Sequence, residues 1–562
     1  MTIALVKVSC INDRLIPLGL ACLQAYLKLH AQSVQVFNFR ATNYTLPKVI
    51  FDPLIQLDLT NFIMNHQDFP MIVPIANDIF RNEDPKFNEG MYVDIIKDYS
   101  TRMFEPLNAT KIRFEGMIDY CRNTVLEDLK DYSIIAFSLN YLNISETIIS
   151  SCLLKRTNPE CTIVWGGPSI TQSSEAFKIF LKKGICDGLV IGEGEHPLLE
   201  IAKGVDLNDI KGVMSLNQQH GYQYSPGIQL DLDLLPTPDY TDIPLDTYYQ
   251  IASTYRSRGC TNRCQFCAEW KLFGPRFRIR SVNKVVQDVE TILRKFKPRF
   301  MLFGESLIND DLEYFEELCD KLIEKNLDIK FGTHFRANIT PNLARKAKMA
   351  GFEDAWVGFE AFSDKDLKEM NKGTSVNQNL DTIESLTQAG VNVLAMLVVG
   401  FSDIKTEKNN CENVNQTIEH FSQRSYFDNE GIEHPLPVQF RPAPMYIVPG
   451  SFDYKSKKHT AMGSWKCQYK ANENEKDISN LEEELMEIPY IFNRPIPDDK
   501  IVNFMIQIQD ADRQAGFTIG GVMKYVIDYT MEMRRKSRQK RKVQRIGVSA
   551  QRFEPKIKQQ IN

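Results

Sequence analysis

Several features are scarce or missing in this chain of 562 residues. No apolar run is long enough for a transmembrane helix, since residues 391–401 are far too short to cross a bilayer. No repeat of fixed period is visible, which excludes a repeat architecture. The net charge of −5 gives no positive excess, so we expect neither a nucleic-acid partner nor a membrane span.

Signals for export are missing as well. Residues 1–8 lack the basic segment and the small-residue cleavage site of a signal peptide. Most of the twelve cysteines are scattered, as expected for reduced thiols, so we expect a cytoplasmic protein. The composition, 43% hydrophobic and 25% charged, is that of a globular protein. The length is too great for one core and predicts two to four domains.

Three closely spaced cysteines are the most informative feature that is present. Cys260, Cys264 and Cys267 form a C-x3-C-x2-C run. Three thiolates at this spacing can bind three irons of a [4Fe–4S] cube and leave the fourth iron open for a small molecule. A zinc site normally needs a fourth ligand, and the nearest following one is Cys319. Zinc or redox-active thiols remain the alternatives.

The first part of the chain alternates short apolar strands with amphipathic helices. Strands are predicted at residues 3–8, 33–39, 133–138, 162–165 and 188–191. Glycine-rich turns follow the later strands at their carboxyl ends, the edge at which parallel sheets bind ligands. We predict a doubly wound, Rossmann-like α/β domain over residues 1–205, with a helical insertion at about 41–130.

The rest of the chain predicts three further regions. Residues 206–250 are predicted as a linker with a small hairpin. Residues 251–445 contain six strand–helix units, the first strand at 254–258, which predicts a partial (β/α)6 barrel with its active site at the carboxyl ends of the strands. Residues 446–562 predict a smaller, mainly helical C-terminal region. Its basic segment 534–545 is either a solvated tail or a patch for an acidic partner.

The cysteine run, with Phe266 before the third cysteine and Arg258-Gly259 before the first, resembles the radical S-adenosylmethionine (SAM) superfamily. The resemblance implies that Gly304-Glu305, after the second barrel strand, contacts the amino group of SAM. Arg336 and Glu360 lie at analogous strand ends. Each either contacts SAM or substrate, or is a surface charge.

The N-terminal domain resembles the cobalamin-binding domain that precedes many radical SAM domains. The residues that carry this likeness and are candidates for cofactor contact are Ser138, Gly166, Gly167, Pro168, Gly192, Glu193, Gly194 and Glu195. A nicotinamide site is not indicated, because no G-x-G-x-x-G follows the first strand. The D-x-H-x-x-G motif of many cobalamin proteins is also absent. Either cobalamin binds without a histidine ligand, or the domain is a relic without cofactor.

Together these resemblances imply a cobalamin-dependent radical SAM C-methyltransferase. Its cofactors are a [4Fe–4S] cluster, SAM and cobalamin, and its electron donor is a flavodoxin or ferredoxin type of protein. SAM yields a 5′-deoxyadenosyl radical that removes hydrogen from an unactivated carbon, and methylcobalamin supplies the methyl group. This geometry predicts an interface between the domains lined by residues 138–141, 166–168, 192–195 and 304–305.

The substrate and the outcome of the reaction leave alternatives open. The insertion and the stretch 370–374 are reminiscent of enzymes that methylate peptides or protein residues, whereas small molecules are the other substrate class. A non-methylating cyclase or rearrangement enzyme is one alternative. A radical SAM enzyme with a relic cobalamin domain is another, and a protein that senses cobalamin or SAM without turnover is a third.

Overall fold

The computed structural model describes most of the chain. The described residues are 2–9, 17–40, 78–79, 107–140, 143–217, 219–274, 276–428, 430–445, 451, 462–463, 490–491, 498–517, 522 and 531. Within these ranges, no helix combines the length and apolar character that crossing a membrane requires. Most of the predicted insertion and the whole basic segment 534–545 lie outside the described residues.

The first sheet has seven strands. They are β1 (Thr2–Ser9), β2 (Ser33–Arg40), β3 (Ile134–Ser138), β4 (Thr162–Gly166), β5 (Gly188–Val190), β6 (Val213–Asn217) and β7 (Gly221–Tyr224). Their order is β2-β1-β3-β4-β5-β6-β7, with β1 to β5 parallel and the hairpin β6–β7 antiparallel. The hairpin expected in the linker therefore extends this sheet beyond residue 205.

Helices pack on both faces of the first sheet. They are α1 (Leu18–Leu29), α2 (Leu107–Tyr120), α3 (Ile144–Thr157), α4 (Pro168–Lys182) and α5 (Glu195–Ala202). On one face Leu5 shares a core with Leu20 and Leu198, while on the other Val6 shares a core with Ile148 and Phe177. Consecutive residues of β1 are buried on opposite faces, as expected for a parallel strand between two helical layers. The predicted parallel α/β architecture is confirmed.

The second sheet has six parallel strands in chain order. They are β8 (Ile251–Thr254), β11 (Phe300–Phe303), β12 (Lys330–Phe335), β13 (Phe352–Glu360), β14 (Asn392–Val399) and β17 (Val438–Pro444). The first strand was expected at 254–258, which is wrong: it ends at Thr254, because β9 (Ser257–Arg258) pairs antiparallel with β10 (Arg278–Ile279) instead. The hairpin strands β15 (Ser425–Phe427) and β16 (Glu433–Pro435) lie outside this sheet.

Helices connect successive strands of the second sheet. They are α6 (Glu269–Leu272), α7 (Val282–Phe296), α8 (Leu312–Lys325), α9 (Pro341–Met349), α10 (Asp364–Glu369), α11 (Val376–Gln388) and α12 (Ile404–Ser422). Side-chain hydroxyl or carboxylate groups cap the amino ends of several of them, for example Ser281 on Lys284 N–H and Asp311 on Tyr314 N–H. Six β/α units in sequential order match the predicted partial barrel.

A C-terminal helix, α13 (Asp498–Gln514), covers the edge strand β17. The Asp512 carboxylate accepts the backbone N–H of Phe440 at 2.8 Å, which satisfies a donor that an edge strand would leave unpaired. Further along, the N–H of Val522 donates to the Asp354 carboxylate, and Val522 packs with Ile251 and Phe300. The C-terminal region thus covers one edge and the amino end of the second sheet.

Candidate active site between the two sheets

One cavity of about 380 Å³ lies between the carboxyl ends of the strands in the first sheet and the carboxyl ends of β8 and β11 in the second. Its lining includes Ser138, Gly166, Gly167, Pro168, Gly192, Glu193, Gly194 and Glu195 from the first sheet, and Gly304 from the second. All eight residues proposed for cobalamin contact therefore line one space. Gly304 lies close to α1, since a Cβ added there would stand 2.7 Å from Cδ2 of Leu18.

The glycines of the cavity keep its wall open. Gly167 has φ +96°, and an added Cβ would stand 2.6 Å from the carbonyl oxygen of Leu139. Gly192 has φ +91°, its N–H donates to the Thr171 hydroxyl at 2.9 Å, and an added Cβ would meet nothing within 4 Å. Such backbone admits close approach of a large flat ligand, so the residues present fit a corrin ring.

The two glutamates of the cavity have partners within the protein. Arg258 pairs with Glu193 at 2.9 Å and with Glu195 at 2.5 Å, and Arg278 also pairs with Glu193. Burial raises the pKa of Glu195, but Arg258 outweighs it and holds that pKa below its ordinary value. These ion pairs join the first sheet to the β9–β10 ribbon. The glutamates therefore hold the cavity walls together, a role that the sequence did not reveal.

Other lining residues were missed by the sequence analysis. Lys7 at the carboxyl end of β1, Asn140 after β3, and Tyr255 and Phe273 near the cysteines all line the cavity. A lysine within an otherwise apolar strand was a signal that could have identified Lys7. The others lie in loops, where pattern gives no indication of side-chain placement.

The three cysteines lie on the loop between β9 and α6. Cys264 is buried, whereas Cys260 and Cys267 are half-buried. The Cys267 sulfur accepts the backbone N–H of Glu269 at 3.4 Å, and the Asn262 amide donates to the Cys260 sulfur at 3.8 Å. Burial raises the pKa of the Cys267 thiol to about 12 and also raises that of Cys264. The donor set and its N–H···S contacts fit an iron–sulfur cluster.

Across the described ranges, no three Cys, His or carboxylate side chains are grouped so that they could hold a metal ion.

The stretch 370–374 holds the cysteine loop in place. The N–H of Gln265 donates to the Met370 carbonyl at 2.9 Å, and the Asn371 amide donates to the Arg263 carbonyl at 2.8 Å. Met370 also packs in one cluster with Phe266. Asn371 has φ +51°, a conformation that asparagine tolerates better than most residues. The stretch therefore fixes the position of the cysteine loop, and the peptide substrate that its sequence suggested stays a prediction.

Arg336 and Glu360, predicted at neighbouring strand ends, meet beside the cysteine loop. Glu360 follows an irregularity in β13, has φ +65°, and pairs with Lys372 at 2.8 Å. The guanidinium of Arg336 donates to the Lys372 carbonyl. Burial lowers the pKa of Lys372, but Glu360 outweighs it and the pKa is raised. Glu360 is buried and Arg336 is half-buried, so neither residue is a solvated surface charge. Both act with Lys372 on the pKa of the Cys264 thiol.

Glu305, expected at the SAM amino group, is buried beside an arginine. Its carboxylate accepts the backbone N–H of Arg256 at 2.6 Å and the Nε of Arg256 at 3.2 Å. Arg256 also pairs with Asp310. Burial raises the pKa of Glu305 to about 7. Arg256, which lies between β8 and β9 ahead of the cysteines, thus fixes the position of the Glu305 carboxylate.

Comparison with known proteins places these features in a context. Residues 254–407 match the Radical SAM superfamily model. Among curated relatives, an uncharacterised methyltransferase of Pyrococcus horikoshii is 25% identical over 46% of this chain and 58% of its own length. The hopanoid C-3 methylase of Methylococcus capsulatus is 25% identical over 55% of this chain and 61% of its own length. The anaerobic magnesium-protoporphyrin IX monomethyl ester cyclase of Rubrivivax gelatinosus is 27% identical over 45% of this chain and 48% of its own length. The chain spans about half to three-fifths of these relatives.

Two solved structures share the fold. The cobalamin-dependent SAM radical enzyme OxsB, with aqua-cobalamin and SAM bound, superposes with a TM-score of 0.57 at 17% identity, over 81% of this chain and 60% of OxsB. The radical SAM methyltransferase TsrM from Kitasatospora setae, with tryptophan and a SAM analogue bound, gives a TM-score of 0.58 at 12% identity, over 91% and 89% of the two chains. At these identities the likeness concerns the fold.

Proposed function

Since residues 254–407 of this chain form a radical SAM domain, which implies a [4Fe–4S] cluster and SAM, we propose that the protein is a cobalamin-dependent radical SAM C-methyltransferase. The observation that carries the proposal is the shared cavity. It places the glycine-lined edge of the first sheet against Gly304 and the residues just before the cysteine loop. A corrin held in this cavity would lie next to the loop that carries the cysteines, since Tyr255, Ser257 and Arg258 line it, while the three cysteines themselves are not part of the lining.

Each group of side chains has a role in this proposal. Cys260, Cys264 and Cys267 hold the cluster. Glu305, oriented by Arg256, and the set of Arg336, Glu360 and Lys372 flank the cysteine loop and position SAM. When bound, the cluster and SAM supply a 5′-deoxyadenosyl radical, and methylcobalamin supplies the methyl group. A flavodoxin or ferredoxin type of protein is the proposed electron donor.

The cobalamin site has no histidine ligand in this proposal. No histidine occurs among the described residues that line the cavity, and residues 10–16 contain none in the sequence. Ser138, Lys7, Asn140 and the backbone of the glycine turns line this side of the cavity and would hold the corrin there.

A second candidate function is a non-methylating cyclase. It is favoured by the similarity to the magnesium-protoporphyrin IX monomethyl ester cyclase, which is as close as the similarity to the methylases. Both candidates share the cluster, SAM and the cavity. They differ in the product, because methyl transfer adds one methylene unit to the mass of the substrate and cyclisation does not.

The test uses the full chain, purified anaerobically and reconstituted with iron, sulfide and cobalamin. With methyl-labelled SAM and a reductant, we expect stoichiometric bound corrin and formation of 5′-deoxyadenosine. Cys264→Ala should abolish deoxyadenosine while leaving the corrin bound, because its thiol lies on the loop between β9 and α6 and does not line the cavity. Cys411→Ala, a buried cysteine under α13, is the matched control and should keep both. Deoxyadenosine without bound corrin would reject the methyltransferase proposal.

A further inference from the structure

The inner face of the second sheet is lined by side chains that are not fully buried. Strand β14 alternates buried residues with half-buried ones, and the half-buried set faces away from the helices. The strand register aligns His334, Trp356, Leu394 and Gln439 in one row across the sheet. The next row towards the carboxyl ends contains Gly358, Met396 and Arg441. Among the described residues, the members of both rows are half-buried, so part of this face remains exposed.

The row of His334 and Trp356 forms an aromatic wall. Their rings make an edge contact with centroids 5.0 Å apart. Burial lowers the pKa of His334, so its imidazole is neutral at pH 7, and its Nδ1 has no hydrogen-bond partner among the described residues. Leu394 and Met396 continue this wall with apolar surface. The wall suits an aromatic or apolar body with at most a few polar atoms.

Two cations lie at this face. Lys372 is paired with Glu360, and its Nζ would stand 3.0 Å from a Cβ added at Gly358. Arg441 is the second. Arg441 is half-buried, and its guanidinium donates to the Gln439 amide oxygen at 2.8 Å. It forms no ion pair with any carboxylate that the structure describes. Asp512 is near enough for Arg441 to lower its pKa, but burial outweighs this effect, and Asp512 is engaged by the Phe440 N–H. A half-buried guanidinium with free donors is matched by a carboxylate, which it can bind through two parallel hydrogen bonds.

We propose that this face binds the substrate, and that the substrate combines a carboxylate, held by Arg441, with an aromatic or apolar body against Trp356, Leu394 and Met396. The inference rests on the proposed function and narrows its substrate class. Met445, four residues after Arg441, packs with Phe266 of the cysteine loop. The carboxylate would therefore be held at the end of β17 that leads to the cysteine loop, with the apolar body along the rows of Trp356 and Met396.

The test measures binding of two probes to the reconstituted full-length protein by titration calorimetry. The probes are 2-naphthoate, which has the carboxylate and an aromatic body, and 2-naphthamide, which has the same shape without charge. We expect the acid to bind about tenfold more tightly than the amide, since one charge-assisted bidentate pair distinguishes them. Equal affinities for the two probes, or no binding of either, would overturn the inference.

Variants locate the preference. Arg441→Gln should abolish the preference for the acid, and Arg441→Lys should keep part of it. Arg424→Gln removes the same charge from an exposed arginine paired with Glu384 and should change nothing. A preference that survives Arg441→Gln would overturn the assignment. Deoxyadenosine formation is measured in parallel. Deoxyadenosine without a preference for the acid rejects this inference alone, and a preference for the acid without deoxyadenosine rejects the proposed function alone.

Discussion

The two sheets meet at one cavity, but the residues that follow their strands differ in kind, and the cysteines lie outside the cavity lining. The first sheet presents bare backbone: Gly167 and Gly192 have positive φ angles, and the charges of Glu193 and Glu195 are directed to arginines of the opposite wall. The second sheet is followed by loops that carry reactive and charged side chains, with Cys264 beside Lys372 and Glu360. One side is defined by shape and the other by charge and sulfur.

This difference shows why the same kind of residue means different things on the two sides. A carboxylate at the end of a parallel strand is usually taken as a ligand contact. In the first sheet, Glu195 instead joins the sheets through Arg258, whereas in the second, Glu360 pairs with Lys372 next to a candidate cluster ligand. Substitutions on the two sides should therefore have different effects. Those that change the shape of the glycine-lined wall should reduce corrin binding, and those in the loops of the second sheet should destabilise the cluster.

The largest separation is expected from Gly167→Ala. Its φ of +96° disfavours a side chain, and the new Cβ would stand 2.6 Å from the Leu139 carbonyl oxygen, so the backbone of the cavity wall must shift. We expect corrin occupancy to fall about tenfold or more, since only about 1.4 kcal/mol is needed for each factor of ten. Deoxyadenosine formation should persist. Corrin absorbance and deoxyadenosine are measured on the same sample.

Gly184→Ala is the control for Gly167→Ala. Gly184 also has a positive φ, +69°, but it lies outside the cavity lining and an added Cβ meets nothing within 4 Å. It should suffer the backbone strain without loss of corrin. If both variants lose corrin equally, the effect is general destabilisation. If Gly167→Ala loses corrin and deoxyadenosine together, the separation between the two sides is wrong.

A smaller effect, on the cluster and not on corrin binding, is expected from Asn371→Ala. The substitution removes the hydrogen bond to the Arg263 carbonyl and places alanine at φ +51°. Loss of one such bond is worth about 1 kcal/mol, so we expect iron to leave the cluster about fivefold faster when a chelator is added, with corrin unchanged. Loss of the cluster's absorbance with time measures this rate.

Two companion variants separate strain from the lost contact. Asn326→Ala has the same kind of backbone, φ +46°, at the exposed end of α8, and should not alter the cluster. Asn371→Gly keeps the backbone conformation but lacks the amide, and should release iron as fast as Asn371→Ala does. A glycine variant that behaves like the unaltered protein would show that the amide contact is not needed.

Sequence alone was sufficient where chemistry or periodicity is local. The cysteine run, the six β/α units and the glycine turns are each contained within short segments, and the structure brings the predicted cavity residues together. The first barrel strand was misplaced because its start was set at Thr254, whereas the strand runs from Ile251 to Thr254, and only pairing with β10 shows that Ser257 and Arg258 leave the sheet.

The partners of charged residues were beyond sequence reasoning. Glu193 meets Arg258 across 65 positions of sequence, and Arg441 reaches the inner face only because the register of β17 places it beside Met396. No periodicity encodes such long-range pairing. The sequence likewise could not show that the stretch 370–374 forms hydrogen bonds with the cysteine loop.

The smallest effect is expected at the end of the second sheet that lies away from the cavity. Burial raises the pKa of Asp354 from 3.8 to about 7, so the folded protein holds a proton that the unfolded chain releases. The stability contributed by this proton is complete at low pH and is lost as pH rises through about 7. Asp354→Asn keeps an acceptor for the Val522 N–H without ionising. Its melting temperature relative to the unaltered protein should therefore rise by a few degrees between about pH 5 and pH 8.

The control for this pH dependence is an aspartate whose pKa is shifted in the opposite direction. Asp403 caps α12, is exposed, and has its pKa lowered by its hydrogen bonds with Thr406. Its contribution is present above the ordinary pKa of aspartate and fades only in acid, so the effect of Asp403→Asn should be constant between about pH 5 and pH 8. If the two variants follow the same pH course, Asp354 is not the buried acid of the sheet. If Asp354→Asn also changes corrin or iron content, the far end of the sheet is coupled to the cavity, and the two sides cannot be treated as separate.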